Sequence, residues 1–156
     1  KAILWRGSQL KSLLTNFFLQ VAWNPKMEYI IIDAPSGTGD VMLDLKNIVP
    51  SAEVLLVTTP HELDAHMTIK TGLGFMELNQ SIIGIVENMA FYLDPDTSDR
   101  TYPFFQGGAS LVAQKLNSEV LATLPLSQPK HHFALFESDE ETGQIFDDLA
   151  LLISIR

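Results

Sequence analysis

The chain of 156 residues contains no cysteine. These residues can therefore supply no disulfide framework, no zinc-thiolate site and no thiolate ligand for an iron-sulfur cluster. Cations are also scarce, with 10 Lys and Arg against 19 Asp and Glu, for a formal net charge of -9. The few basic residues are scattered, which argues against a phosphate-backbone footprint and against nucleic acid as a direct partner. No apolar run approaches the ~20 residues needed to cross a bilayer, and no signal-peptide pattern occurs. The expectation is a cytoplasmic protein without a membrane span. The length suits one domain with a continuous core, and no internal repeat is evident.

The informative stretch is Tyr29-Ile30-Ile31-Ile32-Asp33-Ala34-Pro35-Ser36-Gly37-Thr38-Gly39-Asp40. An aliphatic run without polar alternation reads as a strand buried on both faces, the kind found in parallel sheets covered by helices. It ends at Asp33, which this reading places at the carboxyl end of a central strand, where open α/β sheets bind ligands. Gly37 and Gly39 follow, and without Cβ atoms they let backbone N-H groups approach an anion. A strand-terminal acid before such a turn suits magnesium-nucleotide chemistry. It equally suits a plain strand-to-helix turn with Asp40 as the N-cap.

Around this stretch the chain alternates strand and helix patterns. A short strand is expected over Ala2–Trp5, turning at Arg6-Gly7 into a helix capped by Ser8. Leu10, Leu13, Leu14, Phe17, Phe18 and Val21 form its apolar face until Asn24-Pro25. A short helix covers Val41–Leu45, followed by strands over Glu53–Thr59 and Ser81–Asn88, with a longer helix at 61–79 between them. Residues 89–108 lose periodicity, and Asp94-Pro95-Asp96-Thr97-Ser98-Asp99 reads as a turn-rich loop. A helix from Ala109, a strand at Glu119–Leu124 and a final amphipathic helix with Ile145, Phe146, Leu149, Leu152 and Ile153 complete the pattern. The fold class is α/β: a doubly wound, mostly parallel sheet with helices on both faces.

Five short motifs in order carry a family resemblance: Asp33-Ala34-Pro35-Ser36-Gly37-Thr38-Gly39-Asp40, Val57-Thr58-Thr59-Pro60, Gly84-Ile85-Val86-Glu87-Asn88-Met89, Gly107-Gly108 and Leu124-Pro125-Leu126. Together they resemble the Mrp/ApbC family of MinD-like deviant-Walker P-loop ATPases, of the iron-sulfur cluster carrier type. The resemblance implies ATP and Mg²⁺ as cofactors, with Asp33 organising Mg²⁺ through water and the Gly37 amide meeting the γ-phosphate. It implies that Asn88 hydrogen-bonds adenine, since a carboxamide carries both a donor and an acceptor, and that Pro125 and Leu126 lie beside the base. A strand-end turn for Asn88 and a strand terminator at Pro125 are the purely structural alternatives. The resemblance further implies a homodimer and iron-sulfur client proteins.

Two departures from the family pattern stand out. The Gly-Lys-Gly-Gly-x-Gly-Lys-Thr phosphate loop is missing, and Gly72-Leu73-Gly74, inside a helical segment without a following Lys-Thr, reads as helix packing instead. The expectation is a single partial ATPase domain whose phosphate loop precedes Lys1, so that this chain alone binds ATP poorly and hydrolyses none. The Cys-x-x-Cys pair that commonly follows Glu-Asn-Met is replaced by Asp94 and Asp96. These hard carboxylates cannot stand in for soft thiolates, which counts against an iron-sulfur cluster on this chain. The aspartates suit a solvated turn better than a Ca²⁺ loop. His61 and His66 do not share a helix face cleanly, and His131-His132 diverge, so no zinc site is expected. Two further readings stay open: a MinD/ParA-like ATP-dependent positioning switch without a cluster, and a non-catalytic interaction domain.

Overall fold

The computed structural model describes residues 7–35 and 39–155. The expected strand over 2–5, the expected turn at Arg6 and Gly37, expected to meet the γ-phosphate, lie outside these residues. In chain order the elements are α1 (Gly7–Gln20), α2 (Asp40–Ile48), β1 (Val54–Thr58), α3 (Glu62–Glu77), β2 (Ile82–Glu87), β3 (Tyr92–Leu93), β4 (Arg100–Thr101), α4 (Gly108–Leu116), β5 (Val120–Thr123) and α5 (Glu141–Ser154).

β1, β2 and β5 form a parallel sheet in the order β1-β2-β5. The chain steps across this sheet in one direction, so right-handed crossovers place α3 and α4 on the same face. They share a core there with the sheet: Leu56, Ala65, Ile85, Ala109, Val112 and Leu116 are buried together. On the opposite face Val86, Ala122, Leu124 and Leu149 form a second cluster, to which α5 adds Ile145 and Ile153. β2 is apolar on both faces because it is the middle strand. Its Ile85 and the Val112 of α4 are the largest fully buried side chains among the described residues, each contributing roughly 1.5–3 kcal/mol by burial.

The expected central strand over Tyr29–Ile32 does not form. Residues 28–35 carry no strand ladder, and Ile31 is 94% exposed. A strand apolar on both faces is stable only between two laddered neighbours and under helices. Among the described strands β1 pairs only with β2, and α1 packs chiefly on α2, so the run has neither a ladder nor a cover. The N-cap of α2 is Gly39, not Asp40, and the Met42 amide donates to the Gly39 carbonyl at 3.1 Å. Residues 89–108, expected to be an aperiodic loop, contain the antiparallel β3-β4 hairpin. Among the described residues no helix is long and apolar enough to cross a membrane.

Candidate functional site

The parallel register brings the carboxyl ends of the three strands level. Thr58 pairs with Glu87, and Glu87 with Thr123. Beyond these ends the chain after β2 runs beside the chain after β5. The Leu124 amide donates to the Glu87 carbonyl at 2.8 Å, the Ala90 amide to the Leu124 carbonyl at 2.9 Å, and the Leu126 amide to the Phe91 carbonyl at 2.7 Å. On the other side the Asn88 amide donates to the Thr58 carbonyl at 2.8 Å. Asn88, Pro125 and Leu126, separated widely in sequence, thereby meet at one sheet edge. Pro125 can be buried there because it has no N-H to satisfy, while Leu126 stays 39% exposed.

The Asn88 side chain has a fixed orientation. Its Oδ1 accepts the Met89 amide at 2.9 Å, across a left-handed turn in which Met89 has φ 55°. Nδ2 has no partner among the described residues, so the carboxamide keeps both donors and one acceptor lone pair.

Gly107-Gly108 closes the same edge from α4. Gly107 adopts φ 91°, a conformation that glycine tolerates without strain, and caps the helix without a side chain. A Cβ on Gly108 would collide with the Thr59 carbonyl and Pro60, so only glycine lets α4 start this close to the end of β1. The Ala109 amide in the first turn donates to Glu87 Oε1 at 2.8 Å. At the start of α3, His61 Nδ1 accepts the Leu63 amide at 3.2 Å, and Thr59 Oγ1 donates to Asp64 at 2.5 Å.

Asp33 is not drawn into this edge by a strand ladder. It lies on an exposed segment without regular secondary structure and has no hydrogen bond or ion pair among the described residues.

The Asp94 carboxylate is engaged within its own turn. Its Oδ1 accepts the amides of Asp96 at 2.9 Å and Thr97 at 3.0 Å, and the Asp94 amide donates to the Asp99 carbonyl at 3.0 Å. The Thr97 and Asp96 amides hold its carboxyl below the ordinary 3.8, since each favours the charged form. This is the solvated-turn geometry, and the described residues contain no group of three His, Asp or Glu arranged to hold a metal ion.

Sequence reasoning missed a crevice of about 480 Å³ between the hairpin, α4 and the start of α5, lined among others by Glu87, Phe91, Arg100, Tyr102 and Glu141. The Arg100 guanidinium lies 4.3 Å from the centre of the buried Phe91 ring and 3.6 Å from Glu141. No local motif signals it, because α5 and the hairpin meet only through the tertiary fold.

Comparison with known proteins agrees with this architecture. A family described as "ParA: NUBPL iron-transfer P-loop NTPase" matches residues 1–147. An iron-sulfur cluster carrier protein of Bacillus subtilis is 36% identical over 99% of this chain, and one of Synechocystis is 38% identical over 80% of it. The chain spans only 45% and 35% of these two relatives. The nucleotide-binding protein of Archaeoglobus fulgidus, solved with ADP, superposes with a TM-score of 0.65 at 27% identity, covering 92% of this chain and 52% of that one. The cell division ATPase MinD of Pyrococcus furiosus shares the fold at a TM-score of 0.61 and 20% identity, covering 99% of this chain and 63% of that one. With the matched profile running through nearly the whole chain, this protein belongs to the ParA family of NUBPL-type iron-transfer P-loop NTPases.

Proposed function

We propose that this chain is a partial P-loop ATPase domain that binds Mg-ATP and serves, as a homodimer, in iron-sulfur cluster handling with client proteins. The observation that carries this reading is the meeting of Asn88 with Pro125 and Leu126 at the carboxyl edge of the sheet. An oriented carboxamide whose donors and second lone pair have no partner among the described residues matches the N6 and N7 edge of adenine, and the apolar Pro125-Leu126 pair suits the flank of the base. The Asp33 carboxylate, with no partner among the described residues, is available as a hard oxygen ligand for Mg²⁺ or its water. Bound Mg²⁺ supplies charge neutralisation on the transferring phosphoryl group, and the Gly37 amide is assigned to that group's oxygens. The complete site additionally requires the family's phosphate loop, which does not occur in these 156 residues. The iron-sulfur cluster is cargo in this reading, and its thiolate ligands come from outside this chain.

Calorimetric titration of the full native polypeptide, including any sequence preceding Lys1, with Mg-ATP tests the base site. Asn88→Ala is expected to weaken binding about tenfold, the scale of one or two hydrogen bonds to a base edge. Parental affinity in that variant overturns the assignment.

The missing cysteines favour a second reading, a MinD/ParA-like switch in which ATP controls dimerisation and no cluster is handled. ATP-dependent dimerisation, together with failure of the full polypeptide to accept a cluster on anaerobic addition of iron and sulfide, would select it. A stoichiometric cluster on the full polypeptide would select the first.

A further inference from the structure

We infer that Glu87 is a positioning residue for the proposed nucleotide site: its carboxylate fixes the strand end that presents Asn88, and so governs adenine recognition. The inference rests on the nucleotide reading above and goes beyond it, because it assigns a role to a carboxylate that is bonded to the first turn of α4.

Three contacts between different elements close a triangle around Asn88. The Asn88 amide is bonded to the Thr58 carbonyl at the end of β1. Gly108, at the start of α4, abuts the Thr59 carbonyl and Pro60 just beyond that same end. Glu87 closes the third side, reaching from the last position of β2 to the Ala109 amide. The bond spans 22 positions and is the charged one of the three, and an amide-to-carboxylate bond is stronger than a neutral one. It also has no local substitute, since the N-cap of α4 is Gly107, which has no side chain to satisfy that amide.

Without the carboxylate, the Ala109 amide loses its partner and the start of α4 is no longer tied to β2. The Glu87–Ala90 segment would then depend on its backbone bonds to Thr58 and Leu124 alone. Asn88 is the next residue in the chain, and the rotamer set by the Met89 amide depends on the backbone course there. A small loss of preorganisation at a carboxamide that must meet two atoms of one base weakens both binding and discrimination.

The experiment uses the full native polypeptide and measures ATP and GTP affinity with Mg²⁺, KM, kcat and the thermal midpoint on the same preparations. Glu87→Ala should weaken ATP binding about tenfold, narrow the preference for ATP over GTP, and raise KM more than it changes kcat. Glu87→Gln, whose amide oxygen can still accept the Ala109 N-H, should recover most of the affinity and preference. Glu87→Asp retracts the carboxylate by one methylene and should resemble Ala; it carries the test if Glu87→Ala fails to fold. A folded Ala or Asp variant with a lowered midpoint but parental ATP affinity and base preference would make Glu87 a helix cap only and overturn the inference. Failure of the parent itself to bind ATP is a separate outcome, which removes the nucleotide reading and this inference with it.

Discussion

Gly72 of α3 lies against Leu116 of α4 so closely that a Cβ on Gly72 would overlap the Leu116 Cδ1 methyl group. The two helices therefore cross closely there, and the ends of the Leu116 and Leu56 side chains occupy the space a larger residue would take. Gly72→Val should destabilise the protein by roughly 1–3 kcal/mol, the range for overpacking a dense core. Gly72→Ala should cost less, because the colliding atom ends a side chain and alanine regains up to ~1 kcal/mol of helix propensity. Urea unfolding of both variants checks the order, and a valine variant as stable as the parent would exclude the close crossing.

His61 caps α3 through a ring nitrogen, with Nδ1 accepting the Leu63 amide. His61→Ala removes the acceptor and should lower stability by about 1 kcal/mol, whereas His61→Asn, a preferred N-cap residue, should preserve it. Thermal midpoints at neutral pH decide this. Equal midpoints for the Ala and Asn variants would mean the cap contributes nothing.

The Asp94 turn carries a pH dependence of fixed sign. Hydrogen bonds from the Thr97 and Asp96 amides depress its pKa in the folded state. A depressed carboxyl contributes its stabilisation fully above the unfolded value near 3.8 and loses it as pH falls through the lower folded value. The Asp96 and Thr97 amides should therefore stay hydrogen-bonded above that value and open below it. NMR amide shifts followed from pH 6 to pH 2 should show these two residues titrating together, and Asp94→Ala should abolish the transition. Flat shifts in the parent would contradict the turn.

Buried elements were legible in the sequence for a simple reason. β1, β2 and β5 are short aliphatic runs closed by Pro60, Asn88 and Pro125, and each lies between helices whose periodicity marks the covering face. Gly72 is legible as a packing glycine, since a helical pattern continues through it, and it does pack on Leu116. Tyr29–Ile32 has the same composition as those strands, yet it forms no ladder, because strand formation depends on neighbours that composition does not report. The hairpin is not legible because strands of two residues carry no period. In the candidate site, Asn88, Pro125 and Leu126 were named from their motifs, and their adjacency follows from register. The tie from Glu87 to Ala109 and the stacking of Arg100 on Phe91 left no trace in the sequence. Such contacts between distant elements have no local spacing rule.

Asp33→Asn, made in the full native polypeptide, separates a metal-organising acid from a structural one. Asparagine keeps the size and shape of aspartate but removes the charge needed to hold Mg²⁺ and its water. Asp33 is exposed and makes no hydrogen bond among the described residues, so the substitution removes no described contact and should change stability by no more than about 0.5 kcal/mol, leaving the thermal midpoint nearly unchanged. ATP turnover should nevertheless fall by ~10² or more, the scale of losing one preorganised electrostatic group. A structural aspartate predicts the reverse, with a lower midpoint and parental turnover per folded molecule, because asparagine satisfies turn amides less well than a carboxylate. Midpoint and turnover measured on one preparation distinguish the two, and parental hydrolysis in the asparagine variant would remove Asp33 from the metal site.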